Sequence, residues 1–488
     1  MLSLSHEQKK RIGFTFVMEL LKPASPYGRD AVRRIQPFAP GQEAALRIEL
    51  QNIAKTLSAM PILKNEYTRL EQTFAQVKGI RRSIERIGQD LNEVDLFEIK
   101  RFLIQLRDIT ELFESVDTIA DYTGINIEPA TPALKLLDPE NSAVATFHIS
   151  SRDFPILAKI RKEKKEVERK LRENPKSDDI DLLHTLRATL ASKEQAQEQY
   201  AMQWLSEKLI PWRGLLLSNT EAIGRLDLLL QKAKLAATYI SCMPEIVVGV
   251  ICFEEMSNPQ LESILSAGGR TFTPLTMEMQ TGATVITGAN MGGKSVALKT
   301  LALNVLLMHC GFYPFASSAS CTLFDSIHLI SDDLETADRG LSSFGGEIVA
   351  LQDVLSEVSC GKNALVILDE FARGTNPTEG SAIAKGVCAY MNKQNAFTVM
   401  STHYEGVAAL ANMHYQVAGL RKLELDTTLL KDMQKASVSA RISEIASCMD
   451  YGLVRVSADE ALPQDALNIC RLLSLDERIV DFIEMNMV

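Results

Sequence analysis

The chain has 488 residues, 46% of them hydrophobic and 23% charged, with a formal net charge of −10. That length and composition exclude a disordered chain and allow about two to four domains with substantial cores. The acidic balance offers no global field to attract nucleic acid or an anionic membrane, although local basic patches stay open.

No run reaches the ~18 apolar residues of a bilayer span, and the N-terminal MLSLSHEQKKRIGF lacks the apolar stretch of a secretory signal. A cytoplasmic protein without membrane contact is expected. The cysteines Cys242, Cys252, Cys310, Cys321, Cys360, Cys388, Cys448 and Cys470 are scattered without a C-x-x-C pair, mostly in apolar runs. They read as reduced core residues rather than disulfide or zinc ligands.

From the start to about residue 243 the pattern is helical throughout, with few glycines. Between Val94 and Thr118, Leu96, Ile99, Phe102, Leu103, Leu106, Ile109 and Phe113 recur at three- and four-residue spacings, which predicts one amphipathic helix. A second long helix is expected from Phe154 to about Arg172. A polar tip at residues 173–179 follows it, and helical sequence then resumes toward Trp204. This reads as a hairpin or projecting arm. Its Lys/Arg run suits a nucleic-acid contact, while Glu163, Glu166 and Glu168 equally suit a solvated face with internal counter-charges.

After Pro244 the texture changes to short β-branched segments alternating with helices: EIVVGVICF, ATVITG, TLFDSIHLI, NALVILDE and AFTVMST. The alternation predicts a parallel or mixed sheet with helices on both faces. The expected domains are therefore 1–243, all-helical, and 244–488, α/β.

The chemistry concentrates in the second part. Gly288-Ala289-Asn290-Met291-Gly292-Gly293-Lys294-Ser295 follows the strand Ala283 to Thr287 and opens a helix from Val296 to Met308, fitting the phosphate-binding P-loop G-x-x-x-x-G-K-[ST]. Its N–H groups and helix N-terminus suit phosphates, Lys294 the β and γ phosphates, and Ser295 a magnesium ion. Ala364 to Glu370 is an apolar strand ending in two carboxylates, a Walker B arrangement. There Asp369 would hold magnesium, and Glu370 would act as general base toward the attacking water.

A strand from Ala396 to Ser401 ends at Thr402-His403, placing an imidazole at the same sheet edge. It is read as a γ-phosphate sensor or a structural histidine. Leu341 to Glu347 is a small-residue loop expected to open a helix from Ile348 to Val358. Its hydroxyls and N–H groups suit either a phosphate or a plain helix cap.

TGANMGGKS, SSFGGE, LVILDEFARGT and STHY, in this order and spacing, resemble the ATPase domain of the MutS family, whose usual forms are TGPNMGGKST, STFMVEM, LVLMDEIGRGT and ATHY. SPYGRDAVRRIQPF at residues 25–38 is similar to the start of the family's helical core. LDPENSAVATFHISSRDFPILAKIRKEKKEVERKLRE resembles its lever helix, and residues 465–473 resemble its closing dimerisation segment.

The resemblance implies an α/β P-loop NTPase domain of ABC type, with a mixed sheet flanked by helices, preceded by an all-α core and lever. It also implies ATP and Mg2+ as ligands and a homodimer or a heterodimer with a MutS-like partner. In that dimer Ser342 and Ser343 of one subunit cap the γ-phosphate held by Lys294 of the other, and Phe272 packs against adenine. Ala289 and Val296 depart from the usual proline and threonine without removing a ligand.

The family's mismatch-reading domain, strand-rich clamp and C-terminal nuclease have no counterpart expected here. The core begins near residue 10, and about Arg172 to Leu183 is too short for a clamp. The lone Phe-x-Glu, Phe253 to Glu255, reads as coincidence. Two functions are therefore expected to compete. One is a MutS-like ATPase closing on DNA, as in mismatch repair or recombination. The other is an ATP-driven reactivating factor for a protein client such as a cobalamin-dependent aminomutase.

Overall fold

The structure is a computed structural model that describes residues 4–114, 122–141, 149–150, 152–173, 180–288, 293–331, 343–419, 450–457, 470–471, 473 and 475–485. The longer helices are α1 (His6–Arg11), α2 (Phe14–Leu20), α3 (Pro26–Arg33), α4 (Glu43–Ala59), α5 (Lys64–Gln76), α6 (Glu93–Glu114), α7 (Thr131–Leu137), α8 (Pro155–Glu173), α9 (Ile180–Leu209) and α10 (Arg213–Thr238). They continue with α11 (Pro259–Ala267), α12 (Lys294–His309), α13 (Ser343–Ser359), α14 (Pro377–Met391) and α15 (Glu477–Met485).

The strands are β1 (Glu245–Ile246), β2 (Val250–Met256), β3 (Leu275–Gln280), β4 (Gly282–Thr287), β5 (Ser318–Cys321), β6 (Ser326–Ser331), β7 (Ala364–Asp369), β8 (Phe397–Ser401), β9 (Met413–Gly419) and β10 (Asp450–Val456). Among the described residues, no helix is long and apolar enough to cross a membrane.

The chain groups into two compact units. One comprises residues 1–21, 35–51 and 234–488, and the other residues 22–34 and 52–233. This differs from the expected division at 243/244, because two N-terminal stretches pack with the sheet-bearing part. Asn258 donates to the carbonyl of Ile12 at 3.0 Å while capping the first turn of α11. Gln8, the partner of Ser5 in a capping box that starts α1, donates to the carbonyl of Leu329 on β6 at 2.7 Å. Since β6 is an edge strand, that contact occupies an otherwise open edge carbonyl.

His309 completes the tie. Its Nε2 accepts from the Phe324 amide, which leaves the proton on Nδ1 to donate to the Phe38 carbonyl at 2.9 Å. Helical periodicity marks such segments as amphipathic but does not say which core receives them.

The sheet-bearing unit holds a six-stranded mixed sheet in the order β10-β9-β4-β8-β7-β6, parallel except for β10, and a four-stranded sheet in the order β1-β5-β2-β3. Strands β4 and β8 are buried along their whole length, as their near-continuous apolar sequence requires of parallel strands covered on both faces. One of those faces packs Val285, Val366, Leu368 and Met400 against Val354 of α13 and Ala384 and Cys388 of α14.

Details depart from expectation. EIVVGVICF is two strands, interrupted at Gly249. Helix α13 begins at Ser343, so Phe344 to Glu347 are helical rather than loop. Cys360, just past α13, is exposed, whereas Cys310, Cys321 and Cys388 are buried; Cys448 lies outside the described residues. Phe253 is fully buried in β2, so it cannot act as a wedge.

The other unit is all-helical. Asp227 of α10 accepts from the amides of Ala24 and Ser25 and from the Ser25 hydroxyl, which in turn caps α3 at Gly28. Burial pushes this carboxyl up, and the Ser25 and Ala24 donors oppose that shift. Helices α8 and α9 form the expected hairpin around a thin seam of Ile160, Val167 and Leu190. Residues 174–179, between the two helices, lie outside the described residues.

Candidate functional site

The carboxyl ends of the parallel strands β4, β7 and β8 lie side by side in the six-stranded sheet. Gly293 caps α12 with φ +86°, a left-handed conformation, and a Cβ there would meet the Tyr451 ring at 3.2 Å. Glycine therefore meets both demands at once. The next residue, Lys294, is only 3% exposed, and its ammonium donates to the Gly288 carbonyl at 2.7 Å. Burial pushes the Lys294 pKa down, while Glu370 and Asp369 oppose the shift. A buried cation facing a cavity suits an incoming anion.

Ser295 and Ser401 both donate their hydroxyl protons to Asp369 Oδ1, at 2.9 and 2.8 Å. The parallel register pairs Asp369 directly with Ser401 across β7 and β8. Glu370, the next residue, has φ +52°, and its amide donates to the Ser401 hydroxyl at 2.8 Å. The Glu370 carboxylate pairs with Arg373 and lies 3.8 Å from the Lys294 ammonium. Ala372, at φ +64°, donates its amide to the buried Glu347 of α13 and accepts from the Tyr404 hydroxyl. Two non-glycine residues of the strand-end turn, Glu370 and Ala372, are thus held in a sparsely populated conformation by bonds from Ser401, Glu347 and Tyr404.

A cavity of about 320 Å³ opens here. Its lining includes Phe272, Leu275 and Tyr451 together with Lys294, Ser295 and Glu370. The donor set fits a magnesium–triphosphate pair: hard hydroxyl and carboxylate oxygens for the cation, a buried ammonium for the anion, and aromatic faces for a base.

His403 is exposed beside this turn, its ring 4.5 Å from that of Tyr404. Burial of its inner side pushes its pKa down. Glu370 opposes that shift, and Lys294 and Arg373 add to it, which places the imidazole in the electrostatic field of the site.

The structure therefore brings together Gly288, Gly293, Lys294, Ser295, Asp369, Glu370 and Phe272, with His403 adjacent. Ala289, Asn290, Met291, Gly292 and Ser342 lie outside the described residues, and Ser343 is described only as the first residue of α13.

Sequence reasoning assigned no role to Ser401, Glu347, Tyr404 or Tyr451. A hydroxyl ending the strand next to the carboxylate strand is the one available signal for Ser401. The others depend on contacts between distant segments.

Residues 284–474 match the family MutS domain V, and that segment contains β7, β8, α12 and every polar group of the cluster. This segment of the chain is therefore similar to domain V of MutS proteins. Domain V is the ATPase domain of MutS proteins.

The chain is 24% identical over 432 residues to the Endonuclease MutS2 of Caldanaerobacter subterraneus subsp. tengcongensis, an alignment covering 75% of this chain and 53% of that protein. It is 31% identical over 312 residues to the DNA mismatch repair protein Msh3 of Dictyostelium discoideum, covering 62% of this chain and 21% of that one. Against the Endonuclease MutS2 of Shouchella clausii it is 28% identical over 292 residues, covering 59% and 34%. The chain thus spans about half the length of the first of these MutS relatives and less of the others.

Proposed function

We propose that this chain is a MutS-type ATPase that uses Mg2+-dependent ATP hydrolysis to drive closure of a dimer on DNA. The observation carrying the proposal is the single constellation of Lys294, Ser295, Asp369 and Glu370 at one sheet edge, beside an aromatic-lined cavity. Bound magnesium would neutralise phosphate charge as hydrolysis proceeds.

Ser295 and Asp369 are the residues to hold the ion, Lys294 the one to bind the phosphates, and Phe272 the one to pack on the base. Glu370 is the general base. Its pairing with Arg373 and its 3.8 Å approach to Lys294 imply that it must be freed from one cation to accept a proton. His403 would contact the γ-phosphate. Ser342 and Ser343 would complete the site of a second subunit, which makes dimerisation part of turnover. The α/β unit is accordingly a P-loop NTPase of ABC type, coupled to a helical core and lever.

DNA as the gripped ligand draws support from the relatives, one of them a DNA mismatch repair protein by name. It is also supported by Lys162, Lys165, Lys170 and Arg172, exposed along α8. A second reading, an ATP-driven factor acting on a protein client, is favoured by the other cations of that arm. Arg161 and Lys164 pair with Glu194, Arg161 also with Glu198, Arg169 with Glu166, and Arg187 with Glu168.

ATP turnover titrated with branched and mismatched duplexes at low and moderate salt separates the two. Stimulation by DNA that weakens steeply with salt supports the first reading. No stimulation at low salt, where phosphate contacts are strongest, rejects it.

A further inference from the structure

Ser401 is the last residue of β8 and is fully buried. Where the MutS signature usually reads Ala-Thr-His-Tyr, this chain reads Ser-Thr-His-Tyr, so a hydroxyl stands where a methyl group is usual. That hydroxyl uses its proton on Asp369 Oδ1 at 2.8 Å and a lone pair on the Glu370 amide at 2.8 Å. It therefore bonds at once to the side chain of one Walker B carboxylate and to the backbone of the other. The hydroxyl's single proton is thereby committed to Asp369, and one of its two lone pairs to the Glu370 amide.

The consequence lies in the direction of the two carboxylates. Glu370 sits at φ +52°, a region that non-glycine residues seldom occupy unless neighbours hold them there. Its side chain leaves the strand at an angle set by that turn. Asp369 Oδ1 also receives the Ser295 hydroxyl, so the Asp369 carboxylate is held both from β8 and from the first turn of α12.

We propose that Ser401 is a positioning residue for ATP hydrolysis, a clamp that sets Asp369 and Glu370 in their mutual geometry before the nucleotide arrives. This rests on the ATPase reading given above. Removing the hydroxyl takes one of two donors from Asp369 Oδ1 and removes the acceptor of the Glu370 amide. The Asp369 carboxylate and the Glu370 backbone then lose a shared reference point.

The test uses two pairs that differ only in the hydroxyl: wild type against Ser401→Ala, and the equally shaped Ser401→Thr against Ser401→Val. Three quantities are read on the full chain: hydrogen exchange at the Glu370 amide without nucleotide, ATP affinity in EDTA, and turnover against Mg2+ concentration.

The hydroxyl-free member of each pair is expected to exchange faster at Glu370 and to need several-fold more Mg2+ for half-maximal turnover. Its kcat is expected to fall about ten- to a hundredfold, the scale of one lost hydrogen bond to a charged group, with affinity in EDTA unchanged within about twofold. Equal exchange, kcat and Mg2+ dependence within both pairs would overturn the proposal. So would a parallel loss in Ser401→Thr and Ser401→Val with Ser401→Ala unaffected, since shape would then be the cause. If the wild-type chain shows no turnover at all, the ATPase reading fails, while exchange at Glu370 still decides whether the clamp exists.

Discussion

Gly380→Ala offers a prediction in which two physical effects point in opposite directions. Gly380 is the fourth residue of α14, and helix propensity alone favours alanine there by about 1 kcal/mol. The packing opposes it. A Cβ at Gly380 would lie 2.4 Å from the Tyr404 hydroxyl and 2.7 Å from the carbonyl oxygen of Ala372. The tyrosine hydroxyl ends a side chain that can swing, but its movement would break the 3.0 Å bond it donates to that same carbonyl. The carbonyl belongs to a backbone turn already held at φ +64°.

Overpacking of this kind costs about 1–3 kcal/mol, and the lost hydrogen bond about another 1 kcal/mol, so the steric effect outweighs the propensity gain. Gly380→Ala is expected to be destabilised by about 1–3 kcal/mol in urea unfolding followed by circular dichroism. Because the displaced turn carries Glu370, ATP turnover should fall at a temperature where the variant is still folded. A variant as stable as wild type, with unchanged turnover, would refute the reasoning that this turn is held from α14.

Three further outcomes follow from the same geometry. His309 is fully buried and neutral, and its pKa is pushed down to about 4 chiefly by burial. The stability it contributes is complete above the unfolded value near 6.5 and is lost as pH falls through about 6.5 to 4, a loss of about 3 kcal/mol. His309→Gln should flatten the midpoint-against-pH curve across that window, and an unchanged slope would contradict the assignment. Asp227→Ala leaves the amides of Ala24 and Ser25 without their buried acceptor and should cost about 2–4 kcal/mol, measured as a shift in the urea midpoint. Phe272→Ala should weaken ATP binding about tenfold through loss of base stacking and leave kcat near wild type, as read by nucleotide titration and saturation kinetics.

The centre of the fold was legible because its strands carry their burial in their composition. ATVITG and ALVILD are continuous apolar runs, as parallel strands covered on both faces must be, and they ended where the polar motifs said they should. Strand β3 was missed although Leu275-Thr276-Met277-Glu278-Met279-Gln280 alternates with period two, a signal that the neighbouring Thr-Phe-Thr-Pro obscured. Strand β5, Ser318 to Cys321, is too short and too small in its side chains to stand out.

The packing of residues 1–21 and 35–51 with the sheet-bearing unit was not legible at all, because it depends on Asn258, His309 and Tyr313 reaching across hundreds of residues to backbone carbonyls. At the site, the residue types proposed to hold phosphate and metal were readable from spacing. The residues that hold them, Ser401, Glu347 and Tyr404, act through register and backbone contacts that no local pattern encodes.

The central claim is that this sheet edge hydrolyses ATP through Glu370. Glu370→Gln preserves shape and removes the base, so the direct measurement is Mg2+–ATP affinity and single-turnover hydrolysis in wild type and this variant. ATP is expected to bind the variant about as tightly as the wild type, with hydrolysis slowed by about a hundredfold or more. Hydrolysis at the wild-type rate in Glu370→Gln, or a wild-type chain that fails to bind ATP, would contradict it.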